Sequence, residues 1–79
     1  MTIAESLYLM GRHVMLRAFR DLTCKNGPNR REAIQFLTAA TPDWQDSLET
    51  WCAFARLDPN MVIKRTQDFL EKGAFIAIA

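Results

Sequence analysis

Few residues of this sequence could carry covalent chemistry. Nucleophilic catalysis needs a Ser or Cys activated by a base, and the single imidazole, His13, flanked by Arg12 on the first helical segment, is read as a surface or partly buried structural histidine. Cys24 and Cys52 lack CxxC spacing and have only His13 as a possible imidazole companion, so neither a zinc site nor a disulfide framework is expected. Asp43 and Asp46 fall at the start of a helical segment, where carboxylates stabilise the positive end of the helix dipole, and they are read in that role rather than as an acid and base pair. No phosphate-binding glycine loop, dinucleotide fingerprint or calcium loop occurs. The expectation is a protein with no catalytic residues, no cofactor, no metal and no small-molecule substrate.

Chemistry of recognition is better represented. Residues 51 to 65, "WCAFARLDPNMVIKR", run from an apolar helical stretch through an Asp-Pro break into an apolar pair followed by two bases. If Asp58 caps a helix and Val62 faces inward, then Asn60, Met61, Lys64 and Arg65 face outward. Asn pairs with adenine, and Lys or Arg with guanine or phosphate, so these residue types suit the floor of a DNA groove. Arg12, Arg17, Arg20, Lys25, Arg30 and Arg31 are further cations that could meet phosphates if the fold brings them alongside.

The charge is segregated. The net of +1 comes from a block of +4 over residues 1–31, a block of −4 over 32–60 and a remainder of +1 over 61–79. Such a pattern gives either a basic face and an acidic face or mutual neutralisation within the fold.

Four helices must position these groups. Thr2 with Glu5 has capping-box spacing and starts a long first helix, in which Ile3, Leu7, Met10, Val14 and Ala18 form one stripe. Leu9, Leu16, Phe19 and Leu22 widen that surface, which asks for two neighbours. Gly11 inside the pattern costs about 1 kcal/mol relative to Ala and suits close packing by another backbone. "CKNGPN" at 24–29 ends the helix, with Asn-Gly expected to supply a positive φ and Pro28 a fixed one. Asn29 with Glu32 opens a short second helix that buries Ala33, Ile34, Leu37 and Ala40. Thr41-Pro42 and Asp58-Pro59 are cap and first-turn pairs that start the third and fourth helices. Trp44, Leu48, Trp51, Cys52 and Ala55 form the third helix's inner stripe, and Val62, Thr66, Phe69 and Leu70 that of the fourth. The Trp and Phe residues fall at core spacing rather than as base-stacking platforms.

At 79 residues the chain makes one domain, and at that size a dimer or partner contact adds useful burial. The expected fold is all-α, a single small domain of four helices over residues 1–73, with an apolar tail at 74–79. Phe75, Ile76 and Ile78 in that tail are candidate partner-binding residues; docking on the core, strand pairing and dimer formation are all open to it. The opening segment carries an acid where a secretory signal carries bases, and no stretch approaches a membrane span of about 20 apolar residues. A reducing cytoplasm is the expected compartment.

The segment over residues 31–70 resembles the helix-turn-helix superfamily, and the pattern "W…C…LDP…R" is similar to small phage and proteobacterial helical proteins. The resemblance implies DNA binding and transcription regulation, with Asn60, Met61, Lys64 and Arg65 on the reading helix and Arg30 and Arg31 as supporting contacts. Two positions depart from the superfamily. Arg56 stands where a turn glycine is usual, and Arg65 where a second inward apolar residue is common, leaving Thr66 or Phe69 to pack there. The alternative function is a protein-binding adaptor or inhibitor that docks through the first helix or the tail, and a third is a structural homodimer.

Overall fold

A computed structural model describes residues 2–72, which form four helices and no strand: α1 (Ile3–Thr23), α2 (Arg30–Leu37), α3 (Pro42–Ala55) and α4 (Pro59–Lys72). The described chain is an all-α single small domain, as its sequence implies. Each start follows from local chemistry. The Thr2 hydroxyl accepts from the Glu5 amide (3.1 Å), and the Thr41 hydroxyl from the Trp44 amide (3.3 Å) with Pro42 in the first turn. Asp58 Oδ1 accepts from the Asn60 amide (3.0 Å) ahead of α4. Asn29 departs from expectation: it occupies the cap position of α2 with φ −97° and ψ 2°, and its side chain makes no capping bond.

Between α1 and α2, two successive turns carry the chain, with Gly27 N–H donating to Cys24 O (3.0 Å) and Arg30 N–H to Gly27 O (3.4 Å). Gly27 does not take the left-handed conformation expected of it. Its lack of a side chain serves close approach instead, since a Cβ there would stand 3.0 Å from Cys24 Sγ.

Left-handed backbone occurs at Ala39 (φ 50°) and Arg56 (φ 59°). Both close a helix in the same way. Ala40 N–H reaches back to Gln35 O and Ala39 N–H to Phe36 O, while Leu57 N–H reaches Cys52 O and Arg56 N–H reaches Ala53 O. Each is followed two residues later by a capping Thr or Asp and a Pro, so "AATP" and "RLDP" build one kind of corner twice. Glycine suits the left-handed site better than Ala. Ala39→Gly is therefore expected to stabilise by about 0.5 kcal/mol after loss of a half-buried methyl group, raising the thermal midpoint by about 2–4 °C; calorimetry checks it, and a lowered midpoint contradicts it.

The core is Met15, Ala18, Leu22, Ala33, Phe36, Leu37, Leu48, Cys52, Ala55 and Val62. α1 packs on both α2 and α3, most extensively on α3, and α4 rests on α2 and α3. The face α1 buries is rotated from the expected stripe: it keeps Ala18 of that stripe, Leu22 of the wider surface and the close backbone approach expected at Gly11, and it adds Met15. Gly11, Met15, Ala18 and Leu22 are buried, whereas Ile3 and Met10 are 82% and 52% exposed. The reason lies at Gly11, where a Cβ would stand 2.7 Å from Ala55 N and 2.8 Å from Phe54 Cβ, so the backbones of α1 and α3 meet there and set the rotation of α1. On α2, Phe36 joins the core and packs edge-on to Trp44 with ring centroids 6.1 Å apart, while Ala40 lies past the helix and is exposed.

Candidate nucleic-acid interface

The corner between α3 and α4 is built from small and apolar residues inside and polar residues outside. Cys52 and Ala55 are buried on α3, Leu57 packs against the core at the turn, and Val62 is buried on α4. Thr66 is wholly buried, and its hydroxyl is satisfied by donating to Val62 O at 2.8 Å. With Phe69 half-buried against the same core, Thr66 and Phe69 supply the inward packing that Arg65 does not.

The opposite face of α4 is open. Asn60, Met61, Lys64 and Arg65 are all exposed, Met61 to 40%. Their positions follow from helical periodicity once Val62 and Thr66 are fixed inward, because residues at steps of three and four share a face. Arg31 is exposed at the start of α2. Arg30 is half-buried, and its Nε donates to Leu22 O (3.2 Å), so this guanidinium helps close the C-terminal end of α1. Asp43, Asp46 and Glu49 are exposed on α3. Phe75, Ile76 and Ile78 lie outside the described residues.

Burial pushes the Cys52 thiol up from its ordinary value, and the nearby Asp58 carboxylate adds to the effect. The folded state therefore holds the neutral thiol, and its contribution is intact below the ordinary thiol range. As pH rises through that range the unfolded chain ionises first, and stability falls. A thiol reagent at about pH 8 is expected to modify exposed Cys24 rapidly and Cys52 only on unfolding; equal rates at both sites contradict this packing.

Two of the clefts among the described residues lie against α1. One, of about 350 Å³, lies among α1, α2 and α3 and is lined by Phe36, Trp44 and Trp51 together with Arg17, Asp21 and Glu32, among others. Its cation is accompanied by two carboxylates. The other, of about 310 Å³, lies between α1 and the α3–α4 corner and is lined by Tyr8, Arg12, Leu16, Phe19, Arg56 and Leu57 among others. Here Arg12 Nη1 donates to the Tyr8 hydroxyl oxygen (2.8 Å), and the Arg56 guanidinium carbon lies 4.9 Å from the Tyr8 ring centroid. The Tyr8 and Arg12 pair at a four-residue spacing is visible in the sequence as a possible helix-face contact. The arrival of Arg56 from another element is not.

Among the described residues no group of three or more His, Cys, Asp or Glu could hold a metal ion, and no helix is long and apolar enough to cross a membrane. Comparison with family models, with curated proteins and with solved structures finds no match to this chain.

Proposed function

We propose that this protein is a small DNA-binding, transcription-regulating protein of phage or bacterial type that uses the α3–α4 corner as a helix-turn-helix-like element and catalyses no reaction. One observation carries the reading: Asn60, Met61, Lys64 and Arg65 share an exposed face of α4 whose other face is fixed by buried Val62 and Thr66. A helix that reads DNA needs this division, with an anchored inner face and early outward residues able to hydrogen-bond base edges and phosphates. Arg31 is exposed and available as a supporting phosphate contact, whereas Arg30 has one nitrogen already engaged. The test is a mobility-shift titration at low salt on random-sequence and genomic duplexes. Wild-type binding that is weakened in the Lys64→Ala, Arg65→Ala double variant supports the reading, and absence of binding by the wild type, or binding insensitive to that variant, removes it.

A second reading, a protein-binding adaptor that docks through α1, is favoured by the exposure of Ile3, Leu9, Met10 and Leu16 on that helix. Isolated apolar residues on a surface are ordinary, but Ile3 with Met10 and Leu9 with Leu16 stand seven residues apart, so each pair shares a face of α1. Light scattering at several concentrations separates self-association through this face from a monomer awaiting a different partner.

A further inference from the structure

The geometry points to the cleft between α1 and the α3–α4 corner as a binding site for a small phosphate monoester carrying an aromatic or aliphatic group, with Arg12 and Arg56 holding the phosphate and Leu16 and Leu57 meeting the apolar body. This site is separate from the exposed face of α4. Its volume, about 310 Å³, is at the lower end of the range for small-ligand pockets. Arg12 and Arg56 both line it, and both guanidiniums lie against the one ring of Tyr8, at 5.6 Å and 4.9 Å from its centroid. No Asp or Glu is among the lining residues. In the other cleft Asp21 and Glu32 accompany Arg17. Two cations gathered without a carboxylate call for a dianion, and guanidinium forks match phosphate oxygens. A phosphate monoester has that charge near neutral pH.

Arg56 closes α3 in left-handed backbone (φ 59°, ψ 43°), a conformation the end of α2 shares at Ala39, so the second cation of the cleft comes from the side chain placed on the corner and not from the turn itself. Leu16, which lines the same cleft, is 59% exposed and offers an apolar contact there.

The experiment titrates the full chain with phenyl phosphate while following backbone and arginine side-chain NMR resonances. Saturable shifts at Arg12, Arg56, Leu16 and Leu57 are expected, with affinity falling as pH drops through about 6, where the dianion takes up a proton and becomes a monoanion. Inorganic phosphate is expected to bind more weakly, because it leaves the apolar lining empty. Arg56→Gly removes one guanidinium while relieving the left-handed strain, so it is expected to keep the fold, by circular dichroism, and to lose at least about tenfold in affinity. Arg12→Met, at an exposed position, is expected to do the same. Absence of saturable shifts, inorganic phosphate binding as tightly as phenyl phosphate, or an unchanged affinity in a folded Arg56→Gly protein overturns the proposal. Displacement of phenyl phosphate by a short DNA duplex, with the same sensitivity to Arg56→Gly, also overturns it by assigning the site to a backbone diester.

Discussion

Gly11→Val is expected to destabilise the protein by about 3 kcal/mol, read as a lowered urea midpoint with an unchanged slope. Two effects oppose each other at this position. Helix propensity alone favours Val over Gly by a few tenths of a kcal/mol, since Gly is the poorest helix former after Pro. Packing opposes it more strongly, because the new Cβ meets Ala55 N at 2.7 Å and Phe54 C at 3.0 Å. Those are backbone atoms of α3 and cannot rotate aside, so relief requires moving one helix off the other. Overpacking of a core costs about 1–3 kcal/mol, and a rigid backbone neighbour places this case at the upper end. A chain of 79 residues has a total stability of about 4–12 kcal/mol, so the loss is a large fraction of the whole. Gly11→Ala has a propensity gain of about 1 kcal/mol against the same contact and is expected to fall between wild type and the Val variant. Stability equal to or above wild type in the Val variant contradicts a backbone-to-backbone contact at this crossing.

That contact also marks where the sequence could and could not be read. Helix starts were legible because Thr2, Thr41 and Asp58 each place a side-chain oxygen ahead of unpaired amides, and the two prolines allow little else. The exposed face of α4 was legible for a related reason: Val62 and Thr66 lie four apart, and the polar residues between them have only the outer face left. On α1 the same arithmetic was misleading. Its apolar residues surround much of the helix, so periodicity admits several faces, and the choice is made by Gly11 against α3 rather than by the apolar stripe. Met15 therefore lies in the core at 1% exposure, while Ile3 and Met10 stay in solvent.

The corner residues show the same division between local and distant information. Arg56 could be recognised from the sequence as an unusual occupant of a turn position, because the conformational preference is local to the chain. Its neighbour Tyr8 lies far away in sequence, and nothing in the pattern of α1 pairs the two. Ala39 closes α2 with the same hydrogen bonds without any comparable side chain, so the corner does not need the guanidinium. The corner geometry thus belongs to the backbone pattern, and the cationic cleft belongs to the particular residue placed on it.

Reversing the two outward cations of α4, as Lys64→Glu with Arg65→Glu, is expected to abolish DNA binding, a loss of at least about a hundredfold at low salt. Each cation that meets a phosphate releases counterions on binding, so the Lys64→Ala, Arg65→Ala protein should bind with a salt slope smaller by about 1.8 if both residues contact phosphate. Base-edge contacts predict a different result: sequence preference relaxes while the slope changes less. Fold stability is not at stake, because both residues are exposed and substitutions at such positions move stability by about 0.5 kcal/mol or less. Asp43, Asp46 and Glu49 act in the opposite sense, since carboxylates on the helix that would lie along the backbone repel phosphates. Asp43→Asn with Asp46→Asn should therefore tighten binding if α3 approaches the duplex. The same change should cost a few tenths of a kcal/mol of helix stability through the lost dipole interaction. Opposite responses of affinity to these two pairs place α3 and α4 together on the DNA. A charge-reversed protein that folds normally and shifts duplexes as well as wild type leaves α4 with no part in reading them.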